Sequence, residues 1–193
     1  EPDRFRFALN DYLWGRCRIE EAAHDVTASL DGLDVHSRAK LFLIPSSLKP
    51  GEIARVLREG YEVGRLTDGF RDLIRVLELD YLLIDTHPGV NEETLVSIAL
   101  SDTLVLILRP DNQDFQGTAV AVELARKLDV GDLRVLINKV PDGVDWDFLR
   151  SQVEAGYGAP VVGMMPLCSE MAQLASGALF VVRHPDHPLS AQL

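Results

Sequence analysis

The chain has 193 residues, 47% of them hydrophobic and 25% charged, and its 30 acids against 19 bases leave a formal net charge of −11. This is the make-up of a folded globular chain rather than a disordered or collagenous one, and its acidity argues against nucleic-acid affinity over the whole surface. The longest apolar runs, such as Leu104 to Leu108, fall far short of the roughly 18 to 20 residues of a membrane span.

The sequence opens Glu1-Pro2-Asp3, without an initiator Met and without the basic-then-apolar layout of a signal peptide. A processed chain or a piece of a longer one is the expectation. Cys17 and Cys168 stand alone with no C-x-x-C pair, so two buried thiols in a reducing cytoplasm are expected, not a disulfide scaffold or zinc site. No repeat, low-complexity tract or linker interrupts the chain, which reads as one domain over 1–193.

Residues 1–35 predict one or two short helices, around 9–14 and 19–26, packed beside the main body. The sheet core is expected over 36–193. Short, nearly continuous apolar runs at 41–45, 81–85, 103–108, 133–138 and 160–164 predict strands buried on both faces. A weaker strand candidate lies at 179–182.

Helices are predicted between them. Phe70, Leu73, Ile74 and Leu77 follow the i, i+3, i+4, i+7 stripe of one helix. Asn91 followed by Glu92 and Glu93 reads as an N-cap with two acids at the positive end of the helix dipole. Phe115, Ala119, Val122, Ala125 and Leu128 form another stripe, with Gly131 beyond its end. Asp145 is expected to cap a helix carrying Trp146, Leu149 and Val153, and Ser169 one carrying Met171, Leu174 and Ala175. Strand and helix in alternation predict an α/β fold, a mostly parallel doubly wound sheet with helices on both faces. Such sheets bind ligands outside the carboxyl ends of their strands.

Three motifs fall at those ends. In Tyr81-Leu82-Leu83-Ile84-Asp85-Thr86-His87-Pro88-Gly89 an apolar run meets an acid and a turn. Asp85 could hold Mg²⁺ through water or orient an attacking water, and Gly89 lets the loop approach a phosphate without a Cβ in the way. The bland alternative is an Asp that ends a strand before a Pro-Gly turn. In Asn138-Lys139-Val140-Pro141 the Asn amide can donate and accept towards a purine edge. GTP-binding proteins place an Asp fourth in this pattern; here Pro141 is fourth and Asp142 comes one residue late. Guanine is disfavoured and adenine preferred. Pro166 and Leu167 follow the last strand and could form one wall of a base pocket, or an ordinary loop.

The ordered set resembles the MinD/ParA group of deviant P-loop ATPases over 41–176. The resemblance rests on Asp85-x-x-Pro88-Gly89, the 104–110 strand and loop, Asn138-Lys139 and the Pro166 loop. It implies a P-loop NTPase-like sheet in which Asp85 is the Walker B-type acid, catalytic and metal-associated. His87 to Gly89 would belong to switch II, and Asn138 and Pro166 would contact adenine. It also implies ATP or ADP with Mg²⁺, a homodimer formed as an ATP-dependent switch, and a protein partner that stimulates hydrolysis. Members of the group position division sites, plasmids, flagella or other cargo. The chain departs from the group in one respect: no G-x-x-x-x-G-K-[ST] occurs among its 193 residues. A member whose first βα unit is missing is therefore the expectation, with no ATP turnover by these residues alone. The rival reading is a non-catalytic protein-interaction module on a degenerate nucleotide-binding fold.

Weaker signals read as ordinary surface. His184-Pro185-Asp186-His187-Pro188 offers ligating groups but no evident third partner, and is expected to be a solvated tail. A catalytic role for His87 is disfavoured, since loop histidines are mostly solvated. Arg55, Arg58, Arg65, Arg71 and Arg75 are interleaved with Glu52, Glu59, Glu62, Asp68 and Asp72, a salt-bridged face rather than a DNA or lipid-binding patch. The stretch 189–193 carries no Lys or Arg, so no amphipathic membrane anchor is visible there.

Overall fold

The computed structural model describes residues 5–31, 39–46, 63–86, 92–175 and 177–192. They form two compact units, divided between Ile84 and Asp85.

In the first unit, helix α1 (Leu9–Leu13) is followed by a 3₁₀ turn at Ile19–Glu21, strand β1 (His24–Asp25), a second 3₁₀ turn at Thr27–Leu30, strand β2 (Phe42–Leu43) and helix α2 (Val63–Val76). The two short strands pair antiparallel, His24 opposite Leu43. The predicted strand at 41–45 is thus shorter than expected and joins an antiparallel ribbon. Its flanks hold the chain in place: Leu9 donates to the Pro45 carbonyl (2.9 Å) and Val26 to that of Leu41 (2.9 Å). Among its described residues Ile19, Ala22, Leu66 and Leu73 are buried apolar side chains. Leu66 and Leu73 stand seven residues, or two turns, apart on α2, so one side of the helix faces inward. Ile74, expected in the same stripe, is exposed. On the outer side Arg71 pairs with Asp68 and Arg75 with Asp72, the salt-bridged face expected of these residues. Arg55, Arg58, Glu52, Glu59 and Glu62 lie outside the described residues.

The predicted strand at 81–85 is not formed. Residues 81–86 have no regular structure, and Tyr81 and Leu83 are 85% and 90% exposed. Backbone N–H and C=O groups need a ladder partner before an apolar run can be buried. Among the described residues no strand pairs with this segment.

The second unit begins with helix α3 (Glu92–Leu100); Asn91, its expected cap, lies outside the described residues. Two βαβ units follow: β3 (Thr103–Leu108), α4 (Asn112–Lys127), β4 (Asp132–Val140), α5 (Trp146–Tyr157) and β5 (Val161–Pro166). The strands lie in the order β3-β4-β5 and all run parallel. Leu108, Ile137 and Met164 are register partners across the three strands. With Val122 of α4 and Val153 and Tyr157 of α5 they form one buried core. The Tyr157 hydroxyl stays satisfied by donating to the Phe115 carbonyl, 2.8 Å away. On the other face of β3 Ile107 is 65% exposed among the described residues. Burial on both faces, expected from its unbroken apolar run, is therefore not seen for β3.

Helix boundaries follow local chemistry. Asp111 accepts from the N–H groups of Gln113 and Asp114 to start α4. Asp145 accepts from Phe148 to start α5, as predicted, and Gly158 ends it in the left-handed conformation (φ 57°). Helix α6 (Ser169–Gln173) is capped by Cys168, whose sulfur accepts from Met171, so the expected Ser169 cap is one residue late.

The strand candidate at 179–182 falls instead on helix α7 (Phe180–Arg183). Four apolar residues cannot by themselves distinguish a strand from one helical turn. The segment after it is folded rather than solvated. Phe180 and Leu189 are buried, and the Phe180 ring lies 5.0 Å from that of His184 and 5.1 Å from that of His187. Both cysteines are free and half-buried. Among the described residues no helix is long and apolar enough to cross a membrane.

Candidate functional site

The carboxyl ends of β4 and β5 bring three of the sequence-predicted residues together. Val140 is the register partner of Pro166, and Leu167 donates its N–H to the Val140 carbonyl at 2.8 Å. The pairing is irregular between Ile137 and Val140, and Lys139 there adopts φ 57°. Such irregularities re-aim side chains at strand ends. The Asn138 amide is oriented by a local bond: its Oδ1 accepts from the Lys139 N–H at 2.8 Å. Its Nδ2 has no hydrogen-bond partner among the described residues, so two donors are left for a ligand. Across the pairing Leu167 is 60% exposed and Pro166 half-buried. A directed amide next to an exposed apolar wall can hydrogen-bond the edge of a planar heterocycle and pack against its face.

Asp85 is not placed at a strand end. It is exposed and belongs to no element. Gly89 and His87 lie outside the described residues.

The loop after β3 adds a feature that sequence reasoning missed. Arg109 forks onto Asp114, Nε to Oδ2 at 2.9 Å and Nη2 to Oδ1 at 3.0 Å, while its own backbone N–H donates to Oδ2 at 2.9 Å. The signal was present, an Arg at a strand end with an Asp in the first turn of the next helix, but only the Asp111 cap turns α4 so that the two meet. These bonds to Arg109 hold the Asp114 carboxyl at about 2. The fork pins the strand-to-helix turn on the same sheet edge as Asn138.

Because the folded pKa of Asp114 lies below its ordinary value of 3.8, its contribution to stability is complete above about 4 and is lost as the pH falls through about 2. Asp114→Asn is expected to remove that part of the acid sensitivity. Thermal unfolding between pH 4 and 2 checks it: the wild-type Tm should fall more steeply than that of the variant, and parallel curves would contradict the assignment.

No protein-family model matches the chain. The chain superposes on the MinC:MinD cell division protein complex of Aquifex aeolicus with a TM-score of 0.73, 15% identity and coverage of 98% of this chain and 71% of that one. For the MinD cell division protein of the same organism the TM-score is 0.72, at 15% identity and coverages of 98% and 72%. The chain has the MinD/ParA fold. A ParA family ATPase of Chlorobium tepidum is similar too, with a TM-score of 0.64, 20% identity and coverages of 97% and 79%. In sequence, an uncharacterized ATP-binding protein of Methanocaldococcus jannaschii is 22% identical over 181 residues, 93% of this chain. The chain spans 61% of that relative's length. The MinD/ParA fold is a nucleotide-binding one, and the parallel strands β3, β4 and β5 are the part of it that carries Asn138 and Pro166.

Proposed function

We propose that the chain is the base-binding and switch portion of a MinD/ParA-type ATPase, a cytoplasmic dimerisation switch that positions cargo. One observation carries this reading: Asn138 lies two residues before the Val140–Pro166 register pair, at the carboxyl edge of adjacent parallel strands. Asn138 would bind the adenine edge, and Pro166 and Leu167 would form the wall against its face. Asp85 would take the Mg²⁺ through water, and Gly89 would lie near the phosphates. The Mg²⁺-bound triphosphate supplies the bond that is hydrolysed. A second copy of the chain and a protein partner that stimulates turnover complete the switch.

The base end suits an adenine nucleotide; the phosphate end is less complete. A Gly-Lys phosphate loop supplies backbone N–H groups and a Lys for the phosphates, and no such sequence is among these 193 residues. The rival reading is a non-catalytic interaction module that keeps the sheet without turnover.

NMR titration of the chain with Mg²⁺-ATP tests the site. The Asn138 side-chain amide and the Leu167 N–H should shift, with a weak Kd of about 1 mM, equivalent to about −4 kcal/mol, because the base alone is held. GTP should leave both signals in place. Equal shifts with GTP, or none at Asn138 with ATP, would remove the adenine site. The chain is further expected to show no ATP turnover; turnover abolished by Asp85→Ala would overturn that.

A further inference from the structure

In the sequence the tail histidines lack a third ligand, and Cys168 is a lone thiol. The fold brings these features together. One ligating atom each from Cys168, Glu170 and His187 lies within 4.8 Å of the others. We propose that these three side chains form a binding site for a zinc-class divalent cation that staples the 180–190 segment to the loop after β5.

The ligand set is the first argument. Thiolate, imidazole and carboxylate are the three donor types zinc takes, and three protein ligands leave a fourth position open. A thiolate disfavours Mg²⁺ and Ca²⁺, which demand oxygen. The spacing is the second. Zinc bonds of about 2.0 to 2.3 Å put tetrahedral ligand atoms roughly 3.5 Å apart. Cys168 Sγ and Glu170 Oε2 are already 3.5 Å apart, so closing the site takes movements of about 1 Å by the remaining ligand.

The third argument is that each ligand is held from outside the cluster. Cys168 Sγ accepts from the Met171 N–H, and Glu170 Oε2 accepts from the Ser169 hydroxyl at 2.9 Å. His187 packs edge-on against buried Phe180 and accepts at Nδ1 from the Leu189 N–H at 3.1 Å. The Ser190 hydroxyl donates to the His184 carbonyl at 2.6 Å and closes the same turn. Ligands held in this way lose little side-chain freedom on binding. Two bonds are lost on binding. The thiol proton that Cys168 shares with Glu170 is released to solvent. At His187 a cation at Nδ1 displaces the Leu189 N–H, while one at Nε2 forces the ring proton onto Nδ1. The site would lie next to Leu167, yet its chemistry rests on none of the nucleotide reading.

Cobalt(II) is the probe, since a thiolate ligand gives it a near-ultraviolet charge-transfer band. One Co²⁺ per chain should bind with that band and be displaced by Zn²⁺ but not by Mg²⁺. Cys168→Ser should abolish the band, while Cys17→Ser, at the other thiol, should leave it intact. His187→Gln should weaken binding about 100-fold, the upper end of what even an outer-shell partner contributes. Absence of the band, its survival in Cys168→Ser, or displacement by Mg²⁺ would each overturn the site. Cys168 also caps α6; if its replacement unfolds the chain by circular dichroism, His187→Gln decides, and unchanged affinity refutes the proposal.

Discussion

Replacing Ile137 with alanine is expected to lower the stability of the second unit by about 4 kcal/mol, within the 2 to 5 typical of Ile→Ala in a core. Ile137 is 0% exposed in the middle strand, between register partners Leu108 and Met164. Strands on both sides, and the helices α4 and α5, prevent the surrounding side chains from collapsing into the space. The cost therefore lies towards the upper end, a large share of the roughly 5 to 15 kcal/mol that holds a domain together. Ile107→Ala is the internal comparison: the same chemical change one strand away, at an exposed position, should cost less than about 1 kcal/mol. Urea unfolding followed by Trp146, which packs on this core, reads the unit when Trp14 is replaced by Phe. Equal losses at the two positions would contradict the one-sided burial. Ile137 directly precedes Asn138, so the same substitution should also weaken any shift of the Asn138 amide by ATP.

Gly69→Ala should destabilise the first unit by about 1 to 2 kcal/mol, opposite in sign to the usual effect. In the middle of a helix alanine is ordinarily better than glycine by about 1 kcal/mol. Here a Cβ on Gly69 would meet the Tyr12 ring at 2.7 Å from Cε1 and 2.9 Å from both Cζ and the hydroxyl. The ring is not free to swing away, because its hydroxyl donates to the Arg65 carbonyl at 2.7 Å and the Arg65 guanidinium lies 5.2 Å from its centre. Overpacking of this kind costs about 1 to 3 kcal/mol, and breaking the hydroxyl bond about 1 more. The clash therefore outweighs the helix propensity. With Tyr12→Ala in place the obstacle is gone, and Gly69→Ala should become stabilising by about 1 kcal/mol. Unfolding followed by Trp14 fluorescence measures both. Stabilisation in the wild-type background would show that the α1 to α2 contact yields easily.

Legibility in the sequence divides by range of interaction. Strand β3 carries its predicted bounds, β4 extends its own by one residue before and two after, and β5 starts one residue late and ends two later, because short, mostly apolar runs between turn signals leave few alternatives. The Asp145 cap needs only a carboxylate three residues before the N–H it accepts from. That Asn138 and Pro166 fall near the carboxyl ends of neighbouring strands was legible for a related reason: each closes an identifiable strand, and successive strands of βαβ units tend to be neighbours. The 81–85 run has the same local pattern as β3 and forms no strand, since pattern states what a segment can bury and not what it pairs with. The same limit explains α7, where four apolar residues at 179–182 read as a strand.

By itself the sequence determined the α/β alternation, the parallel sheet and the MinD/ParA likeness, all properties of residues close together along the chain. Tertiary structure alone decided three further things. Ile107 of β3 stays exposed among the described residues, Arg109 and Asp114 lock the turn after that strand, and Cys168 and Glu170 meet His187. Each depends on which distant or rotated group arrives to cover, pair or ligate. Neither spacing nor composition encodes that arrival, because it is set by how whole helices and strands pack.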